Sequence, residues 1–416
     1  MASFLTHLLE RYPALTYAPY RRYWFASFAS VGATQLITLG QGWLIFELTG
    51  SALQLGLLGA AASVPNILMT LFGGVIADRF DKRQILRLTS AVITCLLVVL
   101  TVLDYSGLVQ VWQVITIAAL FSLITGLDWP ARAAIYPLLV ERHAFMSAVA
   151  LNSFIWQATR MAIPALGGVL MYIADTWLIF ALASCGFFVM FLVISGLHVK
   201  IPEATHHSPL QQLLQGVAFI FQNNIFKWLL GLTFLSMFLS QSYVQILPVF
   251  VGNMGMAEQA YGYLLSAGGI GSIIGTLIAG AWSSDKPIGH YMFGGTALSV
   301  VALLGFVWAA SAGQFPAALL AVFLAAVCSS VYMIVSMTVL QARVPDELRG
   351  RVMGIYTIGY SLIPLGGLFL GSLAETIGAG RAVLYASSAY LLIALVVWAG
   401  KASLRSLTFG HAAANR

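Results

Sequence analysis

Charge is what this sequence has least of. Asp, Glu, Lys and Arg make up 8% of its 416 residues, where a soluble domain carries about 25%. So few charges cannot cover a water-facing surface of this size, which excludes an ordinary soluble fold. Cysteine is almost as scarce. Cys95, Cys185 and Cys328 each lie in a different apolar run without metal-ligand spacing, and read as small apolar residues. The alternating ten-residue pattern of a membrane β-barrel is also missing: runs such as 85–103 and 178–197 are apolar throughout, so the spans are helices. No long apolar stretch precedes Tyr20, so a cleavable signal peptide is not expected and the first span carries the targeting. A phosphate-cradling glycine loop ending in Lys-Ser/Thr is absent, as is His-Glu-x-x-His. A nucleotide-driven pump, an intramembrane metalloenzyme, a cofactor and a metal all drop out of the reading.

What the sequence has is apolar length. It is 60% hydrophobic, with a mean hydropathy of +0.91. In a bilayer such a chain makes about twelve helical spans of ~20 to 25 residues. They fall near 23–47, 52–76, 85–105, 109–136, 145–173 and 177–199, then 226–251, 261–283, 291–311, 315–341, 352–375 and 382–400. The fold class is an all-α polytopic membrane protein.

The net charge of +6 sits in short loops between spans, not on a nucleic-acid-binding face. One set of loops holds Arg21, Arg22, Arg79, Lys82, Arg83, Arg87, Arg142, Lys200, Lys286, Arg343, Arg349, Arg351, Lys401 and Arg405. The opposite set holds Asp104, Asp175, Glu258 and Glu375 with Arg381. The basic side is the cytoplasmic one, which puts both termini inside.

The stretch 209–221 keeps apolar residues at helical spacing with polar ones opposite, and reads as an amphipathic helix on the cytoplasmic membrane surface. His206 and His207 before it read as incidental linker residues. The stretch 201–224 therefore divides the chain into two six-helix bundles, 1–200 and 225–416. The halves echo one another. Gly74-x-x-x-Asp78-Arg79 returns faintly as Ala281-x-x-x-Asp285-Lys286, and Pro164-x-x-Gly167-Gly168 as Pro364-x-Gly366-Gly367. A duplication of this kind marks a transporter built of two pseudo-symmetric repeats.

Polar residues inside spans mark a pathway. Arg160 lies near mid-span, where a charge costs at least about 2.5 kcal/mol. It either faces a wet cavity and substrate, or makes a structural ion pair. Thr34, Thr38 and Gln41 follow i, i+4, i+7 in span 1, and Gln241 and Gln245 follow i, i+4 in span 7. Asn66 and Tyr332 are further cavity candidates, and each of these residues could instead only bond a neighbouring helix.

At Gly74-Val-Ile-Ala-Asp78-Arg79-Phe-Asp81-Lys82-Arg83 the chain resembles the major facilitator superfamily. That family's loop between helices 2 and 3 reads Gly-x-x-x-Asp-Arg-x-Gly-Arg-Arg; Asp81 and Lys82 depart from it. Glu47-Leu-Thr-Gly-Ser51, Asp128-Trp-Pro130-Ala-Arg132 and Val344-Pro-Asp-Glu-Leu-Arg349-Gly-Arg351-Val resemble a bacterial branch of siderophore exporters and related efflux proteins. Pro164-x-x-Gly167-Gly168 resembles the exporter motif of helix 5, with Ile163 in place of its leading glycine.

The resemblance implies a secondary exporter in the bacterial inner membrane, monomeric, moving a small amphipathic siderophore-like or toxic organic compound by proton antiport. An importer or lysophospholipid flippase of the same fold is the alternative within transport. A non-transporting receptor or assembly factor is the alternative outside it. The resemblance also implies a conformational latch. Asp78 would meet the start of helix 11, after Arg349 and Arg351, while Lys82 or Arg83 reaches Asp128. Glycines of helices 2, 5, 8 and 11 would line the boundary between halves. Helix 4 lacks the family's outer arginine and helix 1 its buried acid. The coupling residue is therefore left open among Asp128, Glu47 and Arg160 acting with an acid.

Overall fold

The computed structural model describes residues 12–79, 81–197, 209–281 and 288–407, with the backbone alone described for 71–79 and 209–213. His206, His207, Asp285 and Lys286 fall outside these residues, as do the side chains of Gly74, Asp78 and Arg79. Among the described residues the regular structure is entirely helical. The first helices are α1 (Ala18–Thr49), α2 (Ala52–Arg79), α3 (Lys82–Tyr105), α4 (Val111–Ile135) and α5 (Phe145–Gly196). The amphipathic segment forms α6 (Pro209–Gln222). Then come α7 (Asn224–Asn253), α8 (Glu258–Gly280), α9 (Ile288–Ser311), α10 (Phe315–Arg343), α11 (Asp346–Ile377) and α12 (Ala379–Gly400).

Ten of these segments are long and apolar enough to cross a membrane. One of the ten is α5, whose 52 residues suffice for two crossings. It contains spans 5 and 6 as one element, where the sequence pattern separates them by a loop. The break is confined to Ala174 (φ −147, ψ 23) and Asp175 (φ 63, ψ −179). Thr176 then donates to the Asp104 carboxylate at 2.6 Å, tying the break to the end of α3. α1 is not among the ten, because Arg21, Arg22, Gln35, Gln41 and Glu47 dilute its hydropathy, yet its 32 residues also suffice to cross. Counting α1 and both halves of α5 gives twelve crossings.

Two spans are less regular than the apolar pattern predicts. α7 is helical over Asn224–Leu235, opens into a π turn at Ser236–Ser240, tightens to a 3-10 stretch at Gln241–Ile246, and resumes at Leu247–Asn253. Pro248 has no N–H for the Val244 carbonyl, and Ser242 donates to the Phe238 carbonyl at 2.6 Å, so helical bonds are lost or shared here. α11 begins at Asp346, not after Arg351, and passes through a 3-10 turn at Gly359–Ser361. Pro345 precedes it, and Asp346 and Glu347 occupy its first turn, where the helix dipole favours anions.

The described chain packs as two units: Met1–Leu44 with Val64–Pro209, and Ile45–Ser63 with Leu210–Arg416. In the first, Tyr20, Tyr23, Leu86, Ile135, Leu151 and Met190 share a buried apolar core joining α1, α3, α4 and α5. In the second, Phe226, Leu229, Met292, Tyr332, Val339 and Tyr356 do the same for α7, α9, α10 and α11. The corner between α1 and α2 belongs to the second unit.

Candidate functional site

In the first unit the polar interior is organised by α4. An aspartate and an arginine one helical turn apart face the same way, and Arg132 Nε pairs with Asp128 Oδ2. Asp128 is 5% exposed. Its other carboxylate oxygen accepts from Thr89 Oγ1 of α3 at 2.9 Å. A guanidinium nitrogen of Arg132 donates to Ser30 Oγ of α1 at 2.9 Å, and Ser30 donates onward to the Ser27 carbonyl at 3.2 Å. Three helices are thus joined through one buried ion pair.

This corrects two readings of the latch. Arg83 does not reach Asp128: its guanidinium donates to the carbonyls of Ile194 and Ser195, at 3.1 and 2.5 Å, capping the last turn of α5. That end needs donors, since the last carbonyls of a helix have no partners within it. Arg349 and Arg351 lie inside the first turns of α11 rather than ahead of it, and Arg349 pairs with Asp346 at 2.5 Å. The positive end of that helix is therefore at Asp346. How Asp78 relates to it falls outside the described side chains.

α5 carries the exporter-like motif inward. Pro164, Gly167 and Gly168 are buried. A Cβ at Gly167 would meet Leu39 at 2.7 Å and Leu36 at 2.9 Å, so α1 lies directly on that glycine. Pro164 has no N–H to offer the carbonyl four residues back, which belongs to Arg160. Arg160 itself is exposed, and no carboxylate lies within 4 Å of it among the described residues. At about 100° per residue, Ser153, Trp156 and Gln157 share its helix face. Beside that face, Trp129 of α4 packs against Trp156 edge to face, with ring centroids 5.0 Å apart. Trp129 is 52% exposed. In the sequence Trp129 appears only within the Asp128-Trp-Pro130-Ala-Arg132 motif and Trp156 carries no signal beyond its type; α4 and α5 bring them together.

Span 1 candidates separate. Thr34 and Thr38 return their hydroxyl protons to the carbonyls of Ser30 and Thr34, at 3.1 and 3.0 Å. Gln41 is buried at 5% with its Nε2 unpartnered. Asn66 is half-buried in α2, and Glu47 is exposed near the end of α1.

In the second unit Gln241 and Gln245 do not share a face. They sit in the 3-10 stretch, where four residues turn about 120° rather than about 40°. Gln241 Nε2 donates to Met333 Sδ at 3.1 Å, while the Gln245 stem lies against Gly367. Tyr332 is part of the packed interior, at 2% exposure, and shares hydrogen bonds of 3.2 Å with Thr233 and, through it, 3.1 Å with Ser336. The glycines also divide differently from the expectation. Gly271 and Gly275 of α8 receive α10, at the backbone of Phe323 and Val327, which is packing within one half. Gly56, Gly59 and Gly371 do form a close seam: a Cβ at Gly56 would lie 2.7 Å from Leu368 Cα, and one at Gly59 2.8 Å from the Pro364 carbonyl. At its end Ser51 donates to the Glu375 carboxylate, which also accepts from the Leu53 N–H at 3.2 Å.

Comparison with known proteins agrees with this architecture. Residues 11–408 match the family model described as transmembrane secretion effector. The chain is 27% identical to the staphyloferrin A transporter of Staphylococcus aureus, over 82% of this chain and 86% of that one. It is 26% identical to the enterobactin exporter EntS of Shigella dysenteriae, over 84% and 82% of the two chains. Among solved structures, a bacterial homologue of the iron transporter ferroportin in an inward-facing state superposes with a TM-score of 0.73 at 17% identity, covering 92% of this chain and 98% of that one. The nucleoside transporter NupG gives 0.70 at 15%, with the same coverage. With its helices, its motif loops and this match along nearly the whole length, the chain belongs to the transmembrane secretion effector family of the major facilitator superfamily.

Proposed function

We propose that this multi-pass membrane protein is a proton-coupled secondary exporter of a small amphipathic anion, working by alternating access between two six-helix halves. The observation that carries the reading is Arg160: an exposed cation with no carboxylate partner among the described residues, in the middle of an apolar span. A charge in that position is tolerated where the helix faces water or an anion. Two relatives named for handling staphyloferrin A and enterobactin support a siderophore-like cargo. Asp128 is the proposed coupling residue. Its carboxylate is buried, held by Thr89 and Arg132, so a proton arriving there would free the guanidinium from α4 and from Ser30 of α1. The loop Gly74, Asp78, Arg79 and Lys82 is the proposed latch between conformations, and the distribution of basic loops supports a cytoplasmic location for both termini.

The test is flux in reconstituted vesicles under an imposed proton gradient, with one anionic and one neutral compound. Arg160→Ala should abolish export of the anion and leave the neutral compound largely unaffected, with the melting temperature preserved. Equal loss for both compounds, together with a lowered melting temperature, would make Arg160 structural and defeat the assignment.

A further inference from the structure

The face of α5 that carries Arg160 holds more than a charge. Trp156 lies one turn before Arg160, about 6 Å along the axis and about 40° around it. Ser153 and Gln157 fall on the same face. Trp129 of α4 meets Trp156 edge to face, so the pair cannot collapse into a stack, and Trp129 keeps half its surface open. A face shared by an arginine, a glutamine and a serine is a poor lipid-facing surface, since the arginine alone is costly in hydrocarbon. A half-open tryptophan offers a ring-binding surface with an apolar face and an indole edge. All five residues lie in the first packing unit, so the site does not depend on the other half of the molecule.

Resting on the reading of Arg160 above, we propose that Trp129, braced by Trp156, is the ring subsite of the transport cavity, and that the preferred cargo is a planar aromatic acid. Its ring lies on Trp129 and its anionic group turns toward Arg160, with Gln157 and Ser153 able to bond further oxygens. The guanidinium selects against aromatic cations by like-charge repulsion, and the open indole selects against saturated acids of the same size.

Equilibrium binding to the purified full-length protein in lipid nanodiscs tests this with two probes of one skeleton and one charge: 2-naphthoate and its saturated counterpart, decahydro-2-naphthoate. The wild-type protein should bind the aromatic acid about tenfold more tightly. Trp129→Leu should erase that preference while leaving the saturated acid unchanged, and Trp129→Phe should restore part of it. Arg160→Gln should weaken both acids by about tenfold and keep their ratio. Equal binding of the two acids by the wild-type protein overturns the ring subsite, as does absence of binding at millimolar concentration or an unchanged ratio in Trp129→Leu. Loss of ring preference with proton-driven flux intact defeats this subsite alone. Retained ring preference without proton-driven flux defeats the export reading alone.

Discussion

Asp128 and Arg132 form an ion pair one turn apart on α4, and the pair reaches Thr89 on α3 and Ser30 on α1 through its remaining polar atoms. Every strong contact of the two charges is made inside one packing unit, so their first role is to hold three helices in register.

Removing one member of such a pair strands the other in a buried site, which costs about 3 to 5 kcal/mol. Asp128→Ala should therefore lower the melting temperature sharply. Thr89→Val should have a much smaller effect, since it deletes a single neutral donor to the carboxylate. Thermal unfolding of the purified variants decides the matter: a larger loss in Thr89→Val than in Asp128→Ala would contradict the ion-paired geometry.

Glu375 acts as a remote cap for α2. Its carboxylate accepts from Ser51 and from the Leu53 N–H, and Ser51 Oγ accepts in turn from the Gln54 N–H at 3.2 Å. Glu375→Ala should speed hydrogen exchange of the amides over residues 51–54 by about three- to tenfold. Exchange unchanged there would show that the start of α2 is capped by other means.

Gly366 and Gly354 lie in the same span and should answer oppositely to alanine. A Cβ at Gly366 would run into the backbone of Phe238 in the π turn of α7, whereas among the described residues nothing lies within 4 Å of one at Gly354. Gly366→Ala should destabilise by about 1 to 3 kcal/mol through overpacking. Gly354→Ala should be neutral or stabilise by about 0.5 to 1 kcal/mol through helix propensity. Denaturation of the two variants side by side is the measurement, and a tolerated Gly366→Ala would remove the close approach of α11 to α7.

The basic loops predict an orientation that labelling can read. In a cysteine-free background, Ser106→Cys and Asn253→Cys should react with an impermeant thiol reagent added outside intact cells, and Gln84→Cys should not. All three positions are exposed, so accessibility reports sidedness rather than burial. The reverse pattern would invert the topology.

Most of the helices were legible because a span needs only length and apolar composition, and α3, α9 and α10 lie within a few residues of their expected ends. What escaped the reading is what a hydropathy run does not record. Spans 5 and 6 look separable because Asp175 interrupts the apolar run, but a single residue at positive φ makes the reversal without a loop. The 3-10 stretch of α7 rotates Gln245 away from Gln241, and nothing in the residue types announces a change of helical period. At α11 the charges of Arg349 and Arg351 read as a loop, yet Pro345 followed by Asp346 and Glu347 is the helix start. Of the candidate site, Arg160 is visible in the sequence as a charge in an apolar run, and Asp128 only through the motif resemblance. The partners of the Asp128–Arg132 pair are not visible there, because Ser30 and Thr89 are ordinary members of their helices until α1, α3 and α4 are brought together.

The joint at Ala174 and Asp175 bears on how force travels through the first unit. The connection is only two residues long, with Asp175 at φ 63 and the following Thr176 bonded to Asp104. The two arms of α5 then behave like the tines of a fork. A joint this short leaves the arm bearing Arg160 and Trp156 little freedom to move independently of the arm ending at Gly196, whose last carbonyls accept from Arg83.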